Sequence, residues 1–130
     1  MARQSLKYLS DQQVADIHEK LMARDGGLPG YREGARLGAL LDRVRNQIRI
    51  GGAGRSSPAR IAAMTTFALC IGRPFRDGNR RTALAAGLVV LRVNEIDKAP
   101  DALRLSTLIV AASSGEAEQE AFIRGYLALI

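Results

Sequence analysis

The chain has 130 residues, 47% hydrophobic and 25% charged, a balance that suits a globular domain and excludes wholesale disorder. No apolar run reaches the roughly 18 residues of a transmembrane helix. One cysteine, Cys70, and one histidine, His18, exclude an internal disulfide and a zinc cluster. Nineteen Lys and Arg against thirteen Asp and Glu give a net charge of +6, and sixteen of those cations are arginine. Guanidinium is the better fork for phosphates and carboxylates, so the bias points to phosphate ligands, nucleic acid or an acidic partner. A merely solvated basic surface gives the same count.

The length predicts one domain over residues 1–130, and the start MARQSLKYLSDQQ lacks the apolar stretch of a secretory signal. A reducing cytoplasm is the expected setting. Six helices follow in order. Ser10 and Gln13 form a capping box for the first, which carries Val14, Ile17, Leu21 and Met22 to a stop at Gly26-Gly27. The second runs from about Ala35 to Ile50 on Leu37, Leu40, Leu41, Val44 and Ile48, with Arg36, Arg43 and Arg49 opposite. After the glycine-rich GGAGRSS, Ser57 caps a third helix, Pro58 fits its first turn, and Gly72 ends it. The fourth, about Asn79 to Val93, is apolar nearly all round and is expected at the centre of the bundle. Pro100-Asp101 opens the fifth, and the sixth runs from Glu116 to the C-terminus through Phe122, Ile123, Tyr126 and Leu127. No alternating strand pattern or repeat interrupts them. The class is all-α.

Chemistry concentrates just before the fourth helix, in Arg73-Pro74-Phe75-Arg76-Asp77-Gly78-Asn79-Arg80-Arg81-Thr82. Free N–H groups at a helix start form an anion site, and glycine lets a phosphate approach the backbone. Arg81 can add a bidentate fork, Asp77 can hold a magnesium ion bridging two phosphates, and Phe75 can anchor the loop in the core. The plainer reading is a turn and cap at Asp77-Gly78-Asn79 among solvated arginines. Cations at a helix N-terminus oppose the macrodipole at about 0.3–1 kcal/mol each, which a structural cap would not choose.

These residues resemble the signature of the Fic/Doc family, His-x-Phe-x-Asp/Glu-Gly/Ala-Asn-x-Arg. Asp16-Ile17-His18-Glu19, Gly26-Gly27-Leu28-Pro29-Gly30 and the Arg36–Ile50 helix extend the resemblance to the Doc (death-on-curing) branch over almost the whole chain. The resemblance implies a compact all-helical fold and binding of ATP or another nucleotide with Mg²⁺. It places Asp77 at the metal and Gly78 and Asn79 in the anion loop, with Arg81 on a phosphate. Arg80 stands where AMP-transferring Fic enzymes have glycine and Doc has lysine, so Doc-type phosphorylation of elongation factor Tu is the implied activity. A small Phd-like antitoxin is the implied partner. The stretch Gly51–Ser57 lies where the family places its target-docking flap.

One departure stands out. The family's histidine is the general base, and Arg73 occupies its place. Arginine stays protonated and cannot take the target's proton, and a lost base typically costs on the order of 10²–10⁴ in rate. The chain therefore reads as an inactivated form of a lethal enzyme, or else as a naturally degenerate member. His18, on the first helix, is expected to pack or to cap a neighbour, with a role near the site left open. Cys70 is expected to be a small buried side chain. Competing readings are an AMP-transferring Fic enzyme and a non-catalytic nucleotide-binding module. Nucleic-acid binding lacks interleaved aromatics and a recognition motif.

Overall fold

A computed structural model describes residues 7–51 and 57–130. The expected flap at Gly51–Ser57 falls mostly outside the described residues, as does the start of the N-terminal segment. Six helices account for the described fold: α1 (Asp11–Asp25), α2 (Leu37–Gly51), α3 (Pro58–Gly72), α4 (Asn79–Val93), α5 (Ala102–Ser113) and α6 (Gln119–Ala128). The all-α reading holds.

Local chemistry sets most helix ends. The Ser10 hydroxyl accepts from the Gln13 N–H, and the Gln13 side chain accepts in return from the Ser10 N–H. Ser57 caps α3 through the Arg60 N–H, and Asp101 caps α5 through the Arg104 N–H. Two starts lie later than the apolar pattern suggests. Ala35 is held in a turn by donating to the Arg32 carbonyl, so α2 begins at Leu37. The Glu116 N–H closes the end of α5 on the Ala111 carbonyl, with Gly115 at φ 82°, so α6 begins at Gln119.

The centre of the bundle is α3, not α4. Helix α3 packs on α2, α4, α5 and α6, and every residue from Ile61 to Phe67 is buried. Helix α4 packs on α1, α3 and α5, and its Leu84, Leu88 and Val89 stay half-buried. The reason is legible in retrospect: no charged residue lies between Arg60 and Arg73, whereas α4 carries Arg80, Arg81 and Arg92. Small side chains make the α3–α4 seam close. At Gly87 an added Cβ would collide with Thr66 Oγ1 and lie 2.7 Å from Tyr126 OH.

This packing fixes the loop between α3 and α4. Arg73 ends α3, donating its N–H to the Leu69 carbonyl at 3.1 Å. The segment after α1 then runs alongside: the Arg32 N–H donates to the Pro74 carbonyl, and the Arg76 N–H donates to the Gly30 carbonyl. Pro74 and Phe75 are buried, so the loop is pinned at its middle. The charged residues on either side of that pin remain at the surface.

Candidate functional site: a basic cleft at the start of helix α4

A cleft of about 570 Å³ opens above the first turn of α4. One side is the loop and helix start, Arg73 and Arg76–Arg81, and the other is Cys70 of α3 with Val110 and Ser113 of α5 and the following Ser114. All six sequence-predicted site residues, Arg73, Asp77, Gly78, Asn79, Arg80 and Arg81, therefore line one cavity.

The helix begins without a side-chain cap. Gly78 is the N-cap residue at φ 72°, and among the described residues there is no side-chain cap bond to this helix start. That positive φ favours glycine, and an added Cβ would also make the flexible end of Met22 of α1 shift. An uncapped helix start facing a cleft leaves its N–H groups to a ligand. The plainer reading, a turn and cap at Asp77-Gly78-Asn79 among solvated arginines, also describes this start: Gly78 is the cap, and Arg73, Arg76, Arg80 and Arg81 are exposed.

Asn79 is committed to the loop. Its Oδ1 accepts from the Phe75 N–H and its Nδ2 donates to the Phe75 carbonyl, both at 2.9 Å. The side chain thus fixes the shape of the loop before the helix start. Asp77 is held by backbone donors: Gly78 N–H at 2.8 Å on Oδ1 and Leu28 N–H at 3.2 Å on Oδ2. Those two bonds, aided by the charge of Arg81, hold its carboxyl below the usual range. Asp77 is an anion that faces the cleft.

His18 meets the loop from beneath. It is 3% exposed, stacked flat on Phe75 with ring centroids 3.8 Å apart, and its Nε2–H donates to the Asp77 carbonyl at 2.8 Å. A ring nitrogen spent in that way is not available to a target hydroxyl. His18 positions the Asp77–Gly78 peptide, as a packed residue with a role near the site. Phe75 stacks on Tyr31 as well, which confirms it as the anchor.

Sequence reasoning missed Asp25, at the end of α1. Arg81 Nη1 donates to its Oδ2 at 3.1 Å, and Arg24 makes two further bonds to the same carboxylate. The Arg24 bond, more than that of Arg81, brings the Asp25 carboxyl down to about 2. No spacing rule joins residues 25 and 81; only the crossing of α1 over α4 does. Cys70 was expected to be buried and is, but it also forms cleft wall. Burial pushes its thiol up to about 11, against the Ser113 hydroxyl and the Arg80 charge. At neutral pH it is a thiol, and a poor nucleophile.

The profile of the Fic/DOC family matches residues 8–91, from the start of α1 into α4. The chain is also 32% identical over 111 residues to a protein named protein kinase doc, from Escherichia phage P1, covering 85% of this chain and 86% of that protein. The chain belongs to the Fic/DOC family. Within that family, the matched segment contains both the loop and the α1 residues that hold it. Among the described residues, no helix is long and apolar enough to cross a membrane.

Proposed function

We propose that this chain is a Doc-type toxin of a toxin–antitoxin pair, built to transfer phosphate from ATP to a hydroxyl of the translation machinery and disarmed at one position. Elongation factor Tu is the target that the resemblance implies. The observation that supports the reading is the cleft: the start of α4 has no side-chain cap, and Arg73, Arg76, Arg80 and Arg81 line the same cavity with Asp77.

Each residue then has a role. The first-turn N–H groups of α4 and the Gly78 backbone face the phosphate, and Arg81 grips it with the edge not taken by Asp25. Asn79 holds the loop in shape through Phe75. A base at position 73 would take the proton of the attacking hydroxyl, and a guanidinium has no lone pair for it. A magnesium ion, in a form carrying the histidine, would rest on Asp77 and supply charge neutralisation between phosphates. His18 cannot replace the base, because it is buried and its Nε2–H serves the Asp77 carbonyl.

Arg73→His tests the reading. It is expected to restore labelling of a cellular protein from γ-labelled ATP, and to make expression toxic to bacteria. Adding Asp77→Ala is expected to abolish both again. Label from the α-phosphate instead would indicate nucleotidyl transfer. If Arg73→His gives neither toxicity nor labelling, the chain is a nucleotide-binding module without transferase activity, a reading that Arg73 itself favours. The partner we propose is a small, acidic, Phd-like antitoxin whose tail folds into a helix beside the loop.

A further inference from the structure

The charge in the cleft decides which form of a polyphosphate fits it. Four arginines, Arg73, Arg76, Arg80 and Arg81, line the cavity with a single carboxylate, Asp77, while Arg81 is also paired to Asp25 at the end of α1. Both oxygens of that carboxylate already accept backbone N–H groups. Magnesium on a nucleotide keeps most of its waters and rests on one or two carboxylates plus the substrate's own phosphates. Here the one carboxylate stands among arginines, whose repulsion of a cation grows as the cleft loses water. The donor set, through its excess of positive charge, disfavours the metal.

It fits a bare polyphosphate well. A triphosphate loses half its charge when magnesium binds it, and with it half its attraction to the arginines and the α4 N-terminus. Arg73 adds a charged donor fork to the cavity wall, where a neutral imidazole would add one N–H and no charge. We propose that this chain binds a triphosphate in its metal-free form, with the Arg73 guanidinium supplying the positive charge that a divalent cation would otherwise bring. The proposal rests on the nucleotide reading above and concerns the ionic form in which the ligand is taken.

Isothermal titration calorimetry of the full chain with ATP, in excess Mg²⁺ and again in EDTA, decides it. Binding in EDTA at least as tight as in Mg²⁺ is expected, with inorganic tripolyphosphate binding too. Arg73→Gln should weaken the EDTA titration by about tenfold, the worth of one charge-assisted hydrogen bond, and shift the preference back to the magnesium form. Asp77→Asn gives the sharpest sign: it should tighten metal-free binding by removing the opposing charge, whereas a metal-dependent site would weaken. If Arg73→Gln does not fold, the unsubstituted chain still decides through the EDTA and Mg²⁺ titrations. ATP binding that appears only with Mg²⁺ overturns this proposal and leaves the nucleotide reading intact. No binding in either condition overturns both.

Discussion

Arg73 carries a backbone penalty and, on the proposed reading, a chemical one. Its side chain lacks the acceptor that the proposed base would need, and its backbone sits at φ 46°, ψ 58°, in the left-handed region that L-residues with a long side chain avoid. Among non-glycine residues, Asn, Asp and His enter that region most readily, so the histidine that the resemblance implies at this position would suit the helix end. Arg73→Gly is expected to stabilise the fold by about 1 kcal/mol, since the left-handed conformation costs an L-residue roughly 1–2 kcal/mol and glycine little. Urea unfolding at constant slope reads the gain directly. An unchanged midpoint would mean that the end of α3 relaxes around arginine at no cost.

The paired carboxylates give the residue scale a pH signature. Asp25 is held at about 2, below its ordinary 3.8, chiefly by Arg24 and then by Arg81, and Asp77 is shifted the same way by the Leu28 and Gly78 N–H groups. A lowered carboxyl in the folded state contributes stability above the ordinary value, and loses it as pH falls through the folded one. Stability is therefore expected to decline between about pH 4 and pH 2. Asp25→Asn should lose less of its urea midpoint over that interval than the unsubstituted chain. Equal losses would place the acid sensitivity elsewhere.

At the scale of elements, the α3–α4 seam is where a small change has a large effect. Replacing a mid-helix glycine by alanine normally gains roughly 1 kcal/mol of helix propensity. At Gly87 the new methyl collides with Thr66 Oγ1, which is tied to the Ala83 carbonyl at 2.8 Å, and with the fully buried Tyr126. Overpacking wins, and Gly87→Ala is expected to destabilise by about 1–3 kcal/mol in urea unfolding. A gain would show that the seam has room. Leu91, 2% exposed, is the α4 leucine whose change to Ala should cost about 2–5 kcal/mol, with the half-buried Leu88 costing less.

The elements also show what a sequence reveals and what it hides. The capping box at Ser10, the Ser57-Pro58 start and the span Asn79–Val93 are local devices, and the structure reproduces them. The choice of central helix was misread because α4 looks apolar around its whole circumference, while centrality depends on which neighbours the chain supplies. The six predicted cleft residues were legible because the motif is continuous. Asp25 and the α5 wall were not, since residues 56 or 30 positions away join the site only through helix crossings. His18 lies between these cases: its sequence position on α1 does not fix a place beside the loop, and the stack on Phe75 does.

Across the whole molecule, the excess of +6 and a second groove decide what sort of partner can cover the site. That groove, about 430 Å³, lies on the α1 side of the loop and is lined by His18, Glu19, Met22, Tyr31 and Phe75 among others. Tyr31 and the neighbouring Leu28 are about half exposed, apolar and close to a basic cleft. An amphipathic segment with an acidic face matches both features, its apolar side in the groove and its charges toward the arginines. Co-expression with the protein of the adjacent gene is expected to yield a complex that survives gel filtration at micromolar concentration. Tyr31→Ala should weaken that complex by about 2 kcal/mol if the ring is a central anchor. Arg80→Gln should instead reduce its salt dependence, because a rim charge acts mainly through long-range attraction. Separate elution of the two proteins would sink the antitoxin proposal, and a complex indifferent to Tyr31 would move the docking surface away from this groove.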